Sequence, residues 1–259
     1  MKNVALITGA SSGIGKELAK IHARRTGDLI LVARNTAKLN QLKTELETEF
    51  KRSVIIISKD LSLPASAKEV YDEVKAQNIE VEFLLNNAGF GGAGKFHERE
   101  WRQDLDMINL NIVALTALTR LFLPDFVKRN KGRILNTSST ASLMPGPLQA
   151  VYFATKAYVT SFSNAIAEEL SDTNITVTNL MPGATETEFA KVSGLEKADL
   201  FKKTASAYSV ALDGYNGMLK GKLDVTSGLT FSQKVMMSFI PFAPKKITLK
   251  QIRNLQEVK

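Results

Sequence analysis

The chain has 259 residues, 44% of them apolar, which suits a single α/β domain with a large core of its own. It has no cysteine, and His22 and His97 are its two histidines, so it has no disulfide framework, no thiolate metal site and no HExxH pattern, and no metal is expected. The net charge of +8 is uneven, because residues 1–190 carry 22 Lys/Arg against 21 Asp/Glu and residues 191–259 carry 12 against 5.

The opening MKNVALITGA holds one lysine and a four-residue apolar run, too short for the core of a secretory signal, and no stretch approaches a spanning length of unbroken apolar residues. A soluble, cytoplasmic protein is expected, with the sequons at Asn136 and Asn174 left bare. Val4–Thr8 reads as a first strand that runs into Thr8-Gly9-Ala10-Ser11-Ser12-Gly13-Ile14-Gly15, with a helix following over 14–26. Gly9 permits the tight turn, Gly13 lets backbone approach a pyrophosphate, and Gly15 lets helix and strand pack closely. The helix start then offers free N–H groups to phosphates.

The spacing Gly-x3-Gly-x-Gly resembles the short-chain dehydrogenase/reductase family, in its compact single-domain branch, and the resemblance extends from about residue 3 to residue 190. It implies one Rossmann-type, doubly wound α/β domain over residues 1–259, with a seven-stranded, mostly parallel sheet and helices on both faces. It also implies a nicotinamide dinucleotide held by Gly9, Ser11, Ser12, Gly13, Ile14 and Gly15.

Leu29–Ala33 is the second strand. Where the family's NAD-binding members carry an acid for the ribose 2′-hydroxyl, this chain has Ala33, with Arg34 next to it. A guanidinium grips a 2′-phosphate that a carboxylate would repel, so NADP(H) is the expected cofactor; a plain exposed arginine is the competing reading. A helix over 36–50 leads to the strand Val54–Ser58 and to Asp60-Leu61, which resembles the family's adenine-contacting pair, although aspartate is also a common turn residue. Ser62 is expected to cap a helix over 64–78 that has Pro64 in its first turn. The strand Phe83–Asn86 ends in Asn86-Asn87-Ala88-Gly89, similar to the family's NNAG element, which puts Asn87, Ala88 and Gly89 at the cofactor ribose.

A long helix over 98–128 is expected to end or kink at Pro124. It holds Asn109 and Asn111; counting back from Gly132 as the resemblance suggests selects Asn111 to hold a water behind the catalytic lysine. After the strand Arg133–Thr137 comes Ser139, 13 residues before Tyr152 and preferred on that spacing to Ser138. Tyr152-Phe-Ala-Thr-Lys156 sets phenol and ammonium on one face of a helix over 150–171. It resembles the family's YxxxK signature. Ser139 would then polarise the substrate oxygen and Tyr152 would exchange its proton. Lys156, together with the charge of the oxidised nicotinamide, would lower the phenol pKa, and it would bind the nicotinamide ribose.

The strand Thr176–Leu180 leads to Pro182-Gly183-Ala184-Thr185-Glu186-Thr187, which resembles the family's PGxxxT turn and assigns Pro182, Gly183 and Thr187 to the nicotinamide. A last strand is expected at Lys222–Thr226, and residues 183–259 are expected to form a substrate loop, lid and C-terminal segment. Phe201, Tyr208, Tyr215, Met218, Phe231, Met236, Met237, Phe239 and Phe242 line an apolar pocket or simply pack a helix. The last 26 residues set Lys234, Lys245, Lys246, Lys250, Arg253 and Lys259 against Glu257. That fits a solvated helix and tail, an anionic substrate, or peripheral contact with an anionic membrane.

The activity implied by the resemblance is hydride transfer between NADP(H) and a carbonyl or secondary alcohol, as a ketone or aldehyde reductase. The expected assembly is a homodimer or homotetramer, formed through Leu115, Leu118, Phe122, Tyr158 and Phe162, with no nucleic-acid partner. An extended-branch epimerase would carry Gly-x2-Gly-x2-Gly and an acid after the second strand, and a cofactor sensor would lack the tyrosine; this chain has neither departure.

Overall fold

The computed structural model describes residues 1–25, 27–196, 198, 201, 203–239 and 244–257, with backbone alone at Met236 and Ser238. In chain order these build β1 (Val4–Thr8), α1 (Gly13–Arg24), β2 (Leu29–Ala33), α2 (Thr36–Phe50), β3 (Val54–Ser58), α3 (Ser66–Ala76) and β4 (Val81–Asn86). Then come α4 (Trp101–Ile108), a π-helical turn (Asn109–Ala114), α5 (Leu115–Arg129), β5 (Gly132–Thr137), α6 (Ala150–Glu169) and β6 (Ile175–Pro182). The last part holds β7 (Thr185–Glu186), α7 (Phe189–Val192), β8 (Ala205–Ser206), α8 (Ala207–Leu219), β9 (Asp224–Ser227), α9 (Phe231–Phe239) and α10 (Lys245–Gln256).

Seven strands form one sheet in the order β3-β2-β1-β4-β5-β6-β9, and every neighbouring pair is parallel. The strands are almost wholly apolar because helices cover both faces. Along β1, Ala5 and Ile7 join a core with Leu18 of α1, Leu39 and Leu42 of α2, and Tyr215 and Met218 of α8. Val4 and Leu6 point the other way, into a second core with Val70 of α3, Leu118 and Phe122 of α5, and Ile166 of α6. The order reverses between β1 and β4, so a crevice opens at the carboxyl ends of those two strands.

Several expectations need correcting. Ser62 caps no helix: its hydroxyl donates to Asp60 Oδ1 at 2.7 Å, and α3 begins later, behind Ala65. Pro124 does not end its helix, since α5 runs on to Arg129 and closes at Asn130, whose φ is 49°. An interior proline costs about 3 kcal/mol, which burial of Leu118, Phe122 and Phe126 at roughly 1.5–3 kcal/mol each outweighs. The helical regularity changes instead at the π turn around Asn111. The whole run Trp101–Arg129, 29 residues, is by length and composition apolar enough to cross a membrane, but its buried side packs on β4 and β5.

Residues 183–259, expected as a substrate loop, lid and C-terminal segment, also supply the expected last strand, shifted to Asp224–Ser227. α8 packs on α1, and β9 completes the main sheet, so Tyr215 and Met218 belong to the core. Of the proposed assembly face, Leu115, Leu118 and Phe122 are buried within the chain, whereas Tyr158 is exposed and stacks on Phe162. Phe242, Lys259 and the side chain of Met236 lie outside the described residues.

Candidate active site

The glycine turn is held from below by Thr8, whose hydroxyl accepts hydrogen bonds from the N–H groups of Asn87 (2.9 Å) and Ala88 (3.0 Å). This ties the end of β1 to the end of β4. Gly9 has φ 65°, a left-handed conformation in which a side chain is strained. A Cβ on Gly15 would strike the Gly9 carbonyl oxygen and come within 2.6 Å of Asn87 Nδ2, so only glycine lets α1 start this close to the turn. Ser12, at the N-cap of α1, makes no capping bond, and no acidic side chain occupies the first turn. The first N–H groups of α1 therefore keep their capacity to bind an anion.

From this turn a cleft of about 500 Å³ runs from Arg34, Lys38, Lys59, Asp60 and Leu61 at one end to Tyr152 at the other. Gly9, Ser11, Ser12, Gly13 and Ile14 line it, as do Asn87, Ala88, Gly89, Pro182, Gly183 and Thr187. Gly15 and Asn111 stand behind the wall. At the far end Arg34 lies 3.6 Å from Asp60 Oδ2, Lys38 pairs with Glu188, and Lys59 pairs with Glu69 at 2.7 Å. Burial pushes the Asp60 carboxyl up, but two hydrogen bonds from Ser62 and the Arg34 guanidinium outweigh it and leave its pKa lowered.

At the near end the two candidate serines separate. Ser138 donates its hydroxyl to the Lys156 carbonyl at 2.9 Å and lies 2.8 Å from Thr160, so it is spent on α6. Ser139 donates its hydroxyl to the Pro182 carbonyl at 3.4 Å, accepts from the N–H of Ala141 at 3.1 Å, and lies near enough to the Tyr152 phenol to pull its pKa down slightly. Lys156 donates to the Thr137 carbonyl at 2.8 Å, with its ammonium 5.9 Å from the centre of the Tyr152 ring. Ser139, Tyr152 and Lys156 thus converge as the spacing implies.

Burial pushes the Tyr152 phenol up to about 12, against a smaller lowering from Ser139, and burial pulls Lys156 down to about 8. Asn111 and the Lys156 ammonium both lie beside Gly89. Its Nδ2 donates to the Phe90 carbonyl and the Thr155 hydroxyl, both at 3.0 Å, and its Oδ1 accepts from the Phe90 N–H at 3.2 Å. Both amide protons are committed to protein, so the side chain ties the turn after β4 to α6.

The match to known proteins decides what this arrangement belongs to. A family model described as short chain dehydrogenase covers residues 3–198. The chain belongs to that family. It carries the Rossmann fold of the short-chain dehydrogenase/reductase family. It is 35% identical over 211 residues to a very-long-chain 3-oxoacyl-CoA reductase of Mus musculus, covering 79% of this chain and 65% of that protein. It is 36% identical over 192 residues to an NADP-dependent 3-hydroxy acid dehydrogenase of Schizosaccharomyces pombe, covering 72% and 73%. Among solved structures, a short-chain dehydrogenase from Sphingobium yanoikuyae in complex with NADPH matches with a TM-score of 0.83 and 30% identity over 98% of each chain.

Beside Asn86 of the NNAG element and the expected pocket residues Phe201 and Met237, several residues that shape this site are not assigned a role by the sequence. Asn86, Asn136 and Asn179 sit side by side across β4, β5 and β6, and Asn86 Nδ2 donates to Asn136 Oδ1 at 2.9 Å. Their signal is an asparagine near the end of three successive apolar strands. Phe189 covers Tyr152 with ring centres 5.2 Å apart, and Phe90, Met144, Phe153 and Leu195 add apolar wall. From the C-terminal segment Phe201, Met237, Ile252, Leu255 and Gln256 reach the cleft, whereas Tyr208, Phe231 and Phe239 are exposed.

Proposed function

We propose that this short-chain dehydrogenase/reductase is an NADP(H)-dependent reductase of ketones on apolar chains, with 3-oxoacyl compounds the first class to test. The observation that carries this reading is a single cleft with cations and no acid at position 33 at one end and Ser139–Tyr152–Lys156 at the other. The names of the two curated relatives, which act on 3-oxoacyl-CoA and 3-hydroxy acids, support the substrate class. The chain spans about 65% of the length of the first of these, so the activity of the whole relative is an expectation here.

The glycine turn and the uncapped start of α1 fit a pyrophosphate, and Arg34 fits a 2′-phosphate, with Lys38 and Lys59 beside it. Asp60 and Leu61 would flank the adenine; Asn87, Ala88 and Gly89 would meet the ribose, and Pro182, Gly183 and Thr187 would form the wall for the nicotinamide. The bound cofactor supplies the hydride. Ser139 hydrogen-bonds the substrate oxygen, and Tyr152, protonated at neutral pH, delivers the proton that completes the alcohol. Lys156, still mostly charged at pH 7, steadies the phenolate left behind and binds the ribose. Asn111 holds the turn after β4 against α6. The protein acts in the cytoplasm as a homodimer or homotetramer; exposed Trp101, Val113 and Tyr158 support the α4–α6 side as its contact.

Purified protein should oxidise NADPH in preference to NADH, and turn over 3-oxoacyl thioesters faster than short simple ketones. Tyr152→Phe should lower turnover by about a hundredfold or more while NADPH affinity, read by fluorescence titration, barely changes. A mutant that kept a tenth of its turnover would remove the proton-donor role, and a preference for NADH would remove the cofactor reading.

A further inference from the structure

α9 carries Phe231, Val235 and Phe239 at i, i+4 and i+8, and they are 83%, 42% and 65% exposed. With about 100° between successive residues, the three form one stripe along the helix, and Met237 falls on the opposite side. Met237 lines the cleft. α9 therefore stands as a wall, with one face on the cleft and an apolar stripe turned to solvent. Globular helices bury such a stripe, and contiguous exposed apolar surface marks a docking site.

What covers the stripe is indicated by charge. α10 begins six residues beyond Phe239 with Lys245 and Lys246, and both are exposed, together with Ile247 and Lys250. The surrounding sequence, residues 191–259, holds 12 Lys/Arg against 5 Asp/Glu. A second copy of this chain would cover the aromatic rings but would bring the same excess of lysines against these. An anionic bilayer offers acyl chains for the rings and phosphates for the ammonium groups.

We propose that α9 and the start of α10 form a peripheral docking surface for an anionic lipid bilayer. The helix has nine residues, far short of a span, so it lies in the interface with Phe231, Val235 and Phe239 inserted. Leu255 of α10 lines the same cleft as Met237, so the docked surface adjoins the substrate end, and an apolar substrate passes from lipid to cleft without crossing bulk water.

The test is co-sedimentation of the full chain with phosphatidylcholine vesicles, with and without phosphatidylserine, over a salt series. The expected result is pelleting with phosphatidylserine vesicles at low salt that declines as salt rises. Phe231→Ser with Phe239→Ser, and separately Lys245→Glu with Lys246→Glu, should each weaken it by about tenfold. Circular dichroism and thermal midpoint should stay unchanged in both, which separates lost docking from lost folding without relying on catalytic activity. Absence of pelleting at low salt, or pelleting indifferent to both pairs, overturns the proposal. A fall in solution mass by light scattering in the phenylalanine pair would assign the stripe to a second copy and overturn it as well.

Discussion

Ala33 ends β2 with nothing to offer a ribose hydroxyl, and Arg34 after it is 72% exposed beside Asp60. An ion pair that exposed is worth little, about 0–1 kcal/mol, so the guanidinium is free to turn to a phosphate. A charge-assisted contact to a dianion is worth about 1.5–3 kcal/mol, and exposure keeps this one near the lower figure. Replacing Ala33→Asp together with Arg34→Ser should therefore shift the ratio of kcat/KM for NADPH over NADH by about tenfold or more toward NADH. Lys38 and Lys59 remain in the double variant, so some NADPH use should persist. An unchanged ratio would mean that those two lysines, and not Arg34, hold the phosphate.

At the scale of elements, β1, β2 and β3 are legible to the residue because parallel strands covered on both faces leave unbroken apolar runs between turn residues. The glycine turn and the Ser139–Tyr152–Lys156 spacing are legible because their chemistry fixes both residue type and interval. The π turn is not, since Asn109–Ala114 reads as ordinary helix; its geometry accompanies hydrogen bonds from Asn111 to Phe90 and Thr155, contacts that are remote in sequence. α10 is hidden for a similar reason. Its twelve residues, KKITLKQIRNLQ, look solvated, yet Ile252 and Gln256 are buried. Ile252 packs in a small core with Met107, Ala141, Tyr152 and Phe153, and Gln256 Oε1 accepts from Gln149 Nε2 at 3.1 Å just before α6. This end of the cleft is remote from Arg34, so Ile252→Ala should raise the KM for an apolar ketone severalfold and leave NADPH affinity unaltered. Truncating a buried isoleucine costs about 2–5 kcal/mol, most of it borne by the docking of α10. Equal losses of substrate and cofactor affinity would show that α10 supports the whole domain and not just the substrate end.

Across the whole molecule, one buried histidine joins distant parts of the chain. His22, on α1, has Nδ1 2.8 Å from the Tyr215 hydroxyl on α8 and Nε2 2.7 Å from the Asn3 carbonyl, and Gly27 packs so closely that no Cβ would fit. Burial lowers its pKa from 6.5 to about 4, against smaller opposing effects from the Asn3 carbonyl and from Asp28 and Glu82. Between pH 6.5 and about 4 the unfolded chain binds a proton at His22 and the folded chain does not, so stability falls as the pH is lowered through that window. A shift of this size corresponds to about 3 kcal/mol, a large fraction of the net stability of a domain. Carboxylates held low in the fold, such as Asp60 and Glu188, lose their contribution nearer the acid end. The denaturant midpoint of the native sequence should therefore drop clearly between pH 7.5 and 5. His22→Gln, which stays uncharged, should start from a lower midpoint and lose much less over the same interval. Parallel losses in the two proteins would show that the acid sensitivity of the fold arises elsewhere than at His22.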